Sequence, residues 1–172
     1  MSGDDCVTSI DEEVNALVVS VGQLLEARQA RMTTAESCTG GLLAKCLTDI
    51  PGSSAWFEYG FVAYGDDAKE NMLGINPELI EQHGAVSKEV CEAMAVAAHA
   101  ISDADVSVAI TGIAGPGGGS EDKPIGTVWL AWLGPGRRAT CKMVRFDGDR
   151  TEVRRQTVVT ALRGILKHLA DG

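Results

Sequence analysis

The chain has 172 residues, 45% of them hydrophobic, and a formal net charge of −9. That length and apolar content suit one compact domain, residues 1–172, with a substantial core. The acidic balance disfavours broad contact with nucleic acid or anionic lipid, but leaves room for a basic pocket that takes one small anion.

Residues 1–8 read as a loose tail without a signal-peptide pattern. Ser9-Ile10-Asp11-Glu12 matches a capping box, and Val14, Leu17, Val18, Val21, Leu24 and Leu25 follow at helical spacing to about Arg28. Met32-Thr33-Thr34-Ala35 is the first strand candidate. A second helix carries Leu42, Leu43, Cys46 and Leu47, and Pro51-Gly52-Ser53-Ser54 ends it. Trp56 to Tyr64 is rich in aromatic and β-branched residues and predicts a strand. A short helix from Gly65-Asp66-Asp67 to Leu73 contains Lys69. Asn76-Pro77 opens another, closed by Gly84. Ser87 caps a longer helix with Val90, Met94, Ala97, Ala98 and Ile101 at core spacing.

Asp105 to Ile110 suits a central strand covered on both faces. It empties into the loop Thr111-Gly112-Ile113-Ala114-Gly115-Pro116-Gly117-Gly118-Gly119. Gly126 to Leu133 and Ala139 to Phe146 predict a strand hairpin around Pro135-Gly136. A final helix follows Asp147-Gly148-Asp149-Arg150, with Val158, Ala161, Leu162, Ile165, Leu166 and Leu169 as its buried stripe. The sum is an α/β fold of three layers, α/β/α, around a mixed sheet of about five strands. The hairpin argues against a purely parallel sheet.

Two loops after strands carry the candidate chemistry. In Glu36-Ser37-Cys38-Thr39-Gly40-Gly41, Ser37 falls at a strand-to-helix turn, and residues 38–41 are expected to open the helix. Free N–H groups at that end would make an oxyanion pocket for a Ser37 nucleophile, or an anion cradle. Ser37 serves equally as a plain N-cap. Cys38 is the rival nucleophile, because a helix N-terminus lowers a thiol pKa. The 111–119 loop offers backbone donors to phosphate, or is simply a surface loop. It matches neither the P-loop nor the dinucleotide pattern. Lys69 becomes a base if held in an apolar pocket and is a solvated surface residue otherwise. Tyr64 belongs to the core with its hydroxyl at the rim, or to the site. Arg150, Arg154 and Arg155 cluster where arginine suits phosphate, though such clusters are commonly solvated faces. The five cysteines form no Cys-x-x-Cys pair, and the three histidines form no ligand motif. Reduced thiols in a cytoplasm, no metal and no cofactor are expected, and no apolar run reaches the length of a membrane span.

Five segments resemble the CinA C-terminal domain family: Thr34-Ala35-Glu36-Ser37-Cys38-Thr39-Gly40-Gly41, Pro51-Gly52-Ser53-Ser54, Gly84-Ala85-Val86-Ser87, Thr111 to Gly118, and Lys123-Pro124-Ile125-Gly126-Thr127-Val128. They occur in order over nearly the whole chain. The chain is similar to the stand-alone form, without the additional N-terminal domain of some members. The resemblance implies a nicotinamide-nucleotide amidase, converting nicotinamide mononucleotide to nicotinic acid mononucleotide and ammonia. It places the nucleophile on Ser37, assisted by Lys69 and Tyr64, with backbone donors at Cys38, Thr39, Gly40 and Gly41. Thr111, Gly112, Gly115, Gly117, Gly118 and Arg150 then hold the substrate. Gly65 departs from the polar residue expected there. The expected partner is a small nucleotide, with neither nucleic acid nor membrane, and the expected state is a homo-oligomer. The alternative is a catalytically silent nucleotide-binding or regulatory module of the same fold.

Overall fold

The computed structural model describes residues 3–136 and 138–170, with side chains from residue 11 onward. Among them are helices α1 (Gly3–Arg28), α2 (Leu42–Thr48), α3 (Asp66–Leu73), α4 (Pro77–His83), α5 (Lys88–Ser102) and α6 (Arg150–Ala170). The strands are β1 (Met32–Glu36), β2 (Phe57–Val62), β3 (Val106–Gly112), β4 (Thr127–Leu133) and β5 (Thr140–Arg145). They form one mixed sheet in the order β2-β1-β3-β4-β5. β1 runs parallel to both β2 and β3, and β4 runs antiparallel to both β3 and β5.

Alternation along the central strands feeds two cores. Val106, Val108 and Ile110 face Val21 and Leu25 of α1, Leu43 of α2, and Leu162 and Ile165 of α6. Ala35, Ala109 and Ala131 face Val90, Met94 and Ala98 of α5, with Leu73 and Ile80 beside them. Small alanines on that face let α5 approach the sheet closely. The directions of the strands have one consequence for function. β1, β2, β3 and β5 all end at the same edge of the sheet, so the segments beginning at residues 37, 63, 113 and 146 emerge together there. Ligands of open α/β sheets bind beyond such carboxyl ends.

Several boundaries differ from expectation. α1 already begins at Gly3, so residues 3–8 are helical rather than a loose tail, and Ser9 lies inside the helix instead of capping it. Asp4 and Asp5 suit the positive end of a helix, which favours the earlier start. β3 extends through Thr111 and Gly112, which pair with Trp129 and Val128; these two are strand, not loop. β2 is shorter than expected because Trp56 turns into the core below α1. Ile101 is exposed, since α5 rotates it past the face that Ala98 and Ser102 bury. No helix of the described residues is long and apolar enough to cross a membrane.

Candidate active site

The turn after β1 is built differently from the expected helix start. α2 begins at Leu42, so Cys38, Thr39, Gly40 and Gly41 precede it. Gly40 and Gly41 have φ of 59° and 90°, left-handed values that glycine adopts without strain and that interrupt a helix. Gly41 stands at the N-cap with no side chain to cap with. The fully buried carboxylate of Glu36 replaces it, accepting hydrogen bonds from the N–H groups of Leu43 at 3.0 Å and Ala44 at 2.8 Å. The positive end of α2 is therefore already matched by an internal anion. Ser37 is not the cap. Its own N–H donates to the Ile110 carbonyl at 2.9 Å, and its hydroxyl donates to the Tyr64 carbonyl at 3.2 Å. The Gly40 N–H is spent on the Ser37 carbonyl. The N–H groups of Cys38, Thr39 and Gly41 have no acceptor among the described residues.

Lys69 reaches this turn from α3. Its side chain is 1% exposed, so it is not a solvated surface lysine. Its Nζ lies 3.1 Å from the Tyr64 carbonyl, 3.4 Å from the Gly65 carbonyl and 3.4 Å from Ser37 Oγ. Asp66 Oδ1 stands farther off, at 3.6 Å. Burial pushes the Lys69 amine below its ordinary value of 10.5, and Asp66 opposes that shift. Nζ donates to the two carbonyls and to Ser37 Oγ, while the Ser37 hydroxyl donates to the Tyr64 carbonyl, so the amine and the hydroxyl share one acceptor and lie within reach of each other.

Tyr64 joins the cluster through its main chain. Its phenol is directed elsewhere, 53% of the residue is exposed, and its oxygen accepts from Arg150 Nη2 at 2.8 Å. Arg150 Nη1 donates to the Gly115 carbonyl at 2.9 Å. Arg150 thus spans from the β2 side to the glycine loop. Thr111 donates its hydroxyl to the Ala85 carbonyl at 2.8 Å and so fixes the 84–87 segment against the loop.

Cys38 is buried, and burial raises its thiol to about 12, with the Glu36 charge adding to the effect. The expected lowering by a helix terminus does not occur, because α2 starts four residues later and Glu36 already occupies its end.

A cleft of about 250 Å³ joins these groups. Ser37, Cys38, Tyr64, Lys69, Thr111, Gly112, Gly115, Gly117, Gly118 and Arg150 line it, whereas Thr39, Gly40 and Gly41 are not part of the lining. Asp66, Ala85, Val86, Ile113 and Ala114 complete the lining and were not singled out from the sequence. The motif Gly84-Ala85-Val86-Ser87 was the available signal for two of them.

A buried lysine against a serine, on a turn whose N–H groups include some without acceptors among the described residues, at the carboxyl edge of a mixed sheet, is an arrangement able to support nucleophilic hydrolysis on an α/β/α scaffold. The CinA C-terminal domain model matches residues 14–169, and the chain belongs to that family. Among its relatives, the Nicotinamide-nucleotide amidohydrolase PncC of Pseudomonas putida is 51% identical over 91% of this chain and 97% of its own. The protein of the same name from Escherichia coli K12 is 52% identical over 89% and 93%. The crystal structure of the competence/damage inducible protein CihA from Agrobacterium tumefaciens superimposes with a TM-score of 0.88 at 43% identity, covering 90% of this chain and 94% of that one.

Proposed function

We propose that the protein is an amidohydrolase that deamidates nicotinamide mononucleotide through an acyl-enzyme on Ser37. The likeness to enzymes named for nicotinamide-nucleotide amide hydrolysis supports the reaction class and substrate. The single observation that carries the mechanism is the buried Lys69 amine 3.4 Å from Ser37 Oγ.

Neutral Lys69 takes the Ser37 proton as Oγ attacks the carboxamide carbon. The Cys38 N–H group receives the developing oxyanion, such a donor lowering the barrier by about 3–4 kcal/mol. The resulting Lys69 ammonium gives that proton to the leaving amide nitrogen as the C–N bond breaks, and ammonia departs. Water then attacks the acyl carbon while Lys69 takes one of its protons, and Lys69 returns that proton to Ser37 Oγ as the ester bond breaks and the acid leaves. The 3.4 Å separation is long for a working hydrogen bond and tightens when substrate displaces water from the cleft. Tyr64 contributes its carbonyl, which holds both Ser37 and Lys69, while its phenol steadies Arg150. Arg150, Thr111 and the 112–118 loop hold the ribose phosphate. A charged phosphate outcompetes the two neutral acceptors that Arg150 now uses.

The test is ammonia release from nicotinamide mononucleotide by the wild type and by Ser37→Ala. Release by the wild type and its loss in the variant are expected. A fully active Ser37→Ala refutes the mechanism, and binding of the nucleotide without turnover favours the silent module.

A further inference from the structure

Two charged side chains that touch none of the reacting atoms hold the 37–41 turn. From the sheet side, Glu36 accepts from Leu43 and Ala44 and anchors the start of α2. From α6, Arg154 Nη2 donates to the Thr39 carbonyl at 2.7 Å, and the Leu42 N–H donates to that same oxygen at 3.1 Å. Between these anchors lie the N–H groups of Cys38, Thr39 and Gly41, which have no acceptor among the described residues; of the three residues only Cys38 lines the cleft.

The turn is expensive for a purely structural device. Glu36 is a fully buried carboxylate facing only backbone donors. Arg154 Nε and Thr39 Oγ1 are enclosed and unpaired. Each such orphan costs about 1–3 kcal/mol. Gly40 leaves room for the arginine, since a Cβ there would stand 3.3 Å from Nη2.

We propose that Glu36 and Arg154 are positioning residues that orient the Cys38 N–H group as an oxyanion donor serving Ser37. The inference rests on the reading of Ser37 as nucleophile. The carboxylate fixes where α2 starts. The guanidinium fixes the Thr39 carbonyl and, through it, the orientation of the adjoining peptides. Rotation of the peptide plane that carries the Cys38 N–H swings that donor off the point where negative charge develops.

The experiment pairs steady-state ammonia release with labelling of Ser37 by a fluorophosphonate reporter. In labelling, the Ser37 Oγ–phosphorus bond forms, the phosphorus–fluorine bond breaks, fluoride leaves, and the serine proton passes to Lys69. The reporter needs the nucleophile and its donors but not the nucleotide. Arg154→Met keeps the packing stem and removes the donor; Arg154→Lys restores one. Arg154→Met is expected to lower kcat about tenfold with KM held within about twofold, and to slow labelling by a like factor. Arg154→Lys is expected to recover most of both rates. Glu36→Gln turns an amide N–H toward the helix donors and is expected to give the same split; it carries the test if Arg154→Met fails to fold.

A raised KM with unchanged kcat overturns the proposal by making Arg154 a substrate contact. A lowered Tm with kcat and labelling unchanged overturns it by leaving only a structural role. If the wild type is labelled but releases no ammonia, the substrate assignment fails while the labelling rates still decide the positioning role. A wild type that is not labelled overturns both.

Discussion

Replacing Lys69 by methionine separates catalysis from stability. Methionine matches the stem of lysine, and swaps that conserve volume in a core cost less than about 1.5 kcal/mol. Losing the amine orphans neither main-chain oxygen. The Tyr64 carbonyl keeps the Ser37 hydroxyl, and the Gly65 carbonyl keeps the Lys69 backbone N–H at 3.2 Å. The lost contacts contribute about 1 kcal/mol each at most, and burial of the amine already works against them. Unfolding stability is therefore expected to hold or rise. Activity is expected to fall by about two to four orders of magnitude, the usual worth of a positioned general base, or about 3–5 kcal/mol of barrier. The pH dependence has a definite sign. Burial lowers the native pKa of Lys69 below 10.5, so in the window between the two values the unfolded chain binds more protons, and wild-type stability rises with pH across it. The variant lacks that slope. Its advantage in Tm should be largest below the native pKa and vanish above about 10.5. Ammonia release and calorimetry across pH measure both effects. A variant keeping more than about a tenth of wild-type activity refutes Lys69 as the base. An advantage that grows with pH refutes the burden of its charge.

Four further outcomes follow from the same geometry. The kcat/KM of the wild type should climb with pH through the lowered Lys69 value, and Asp66→Asn should move that climb to lower pH; an unmoved profile means Asp66 does not tune the amine. Cys38→Ala should keep most activity, and iodoacetamide should modify Cys38 slowly near neutral pH, because a thiol raised to about 12 supplies little thiolate; rapid inactivation through Cys38 contradicts this. Gly112→Ala should destabilise by about 1–3 kcal/mol or more, read by thermal unfolding. Its Cβ would lie 2.8 Å from the Thr127 carbonyl oxygen and 3.0 Å from Val128 Cα, backbone atoms that cannot step aside. Arg150→Lys should raise KM for the mononucleotide about tenfold with kcat nearly kept, since one ammonium cannot reproduce a bidentate grip; an unchanged KM removes Arg150 from substrate binding.

The fold was legible where burial imposes a period. The stripes of α1 and α6 and the apolar run of β3 belong to elements covered by partners, so hydrophobic spacing reported them well. The hairpin of β4 and β5 was also visible, because Pro135-Gly136 sits between two β-rich segments. Strand order was not, since pairing of β1 between β2 and β3 is a contact between distant segments with no local signature. The start of α1 was missed because a capping-box pattern at Ser9 marks a helix end only when the preceding residues are not already helical.

At the site, sequence reasoning identified segments better than it identified atoms. Ser37, Lys69, Thr111 and the glycine loop reach one cleft because four strands end at one edge, a result of topology that favours residues just past strand ends. The roles of individual groups depend on which way each chain turns there. Tyr64 offers a carbonyl where a phenol was expected, because its side chain leaves β2 toward Arg150, 86 residues away. Glu36 was read as part of the loop after the first strand and given no role, yet it closes β1 and takes over the capping that Gly41 cannot perform. Arg154 looked like a solvated charge, yet it binds the Thr39 carbonyl across 115 residues. In each case a polar group is satisfied by a partner remote in the chain, which no window of neighbouring residues encodes. The N–H groups of Cys38, Thr39 and Gly41, without acceptors among the described residues, become conspicuous only after the other backbone donors of the turn have been traced. Of these three residues only Cys38 lines the cleft beside Ser37, which is the physical reason to propose the oxyanion there, and not at the helix end that the sequence made more prominent.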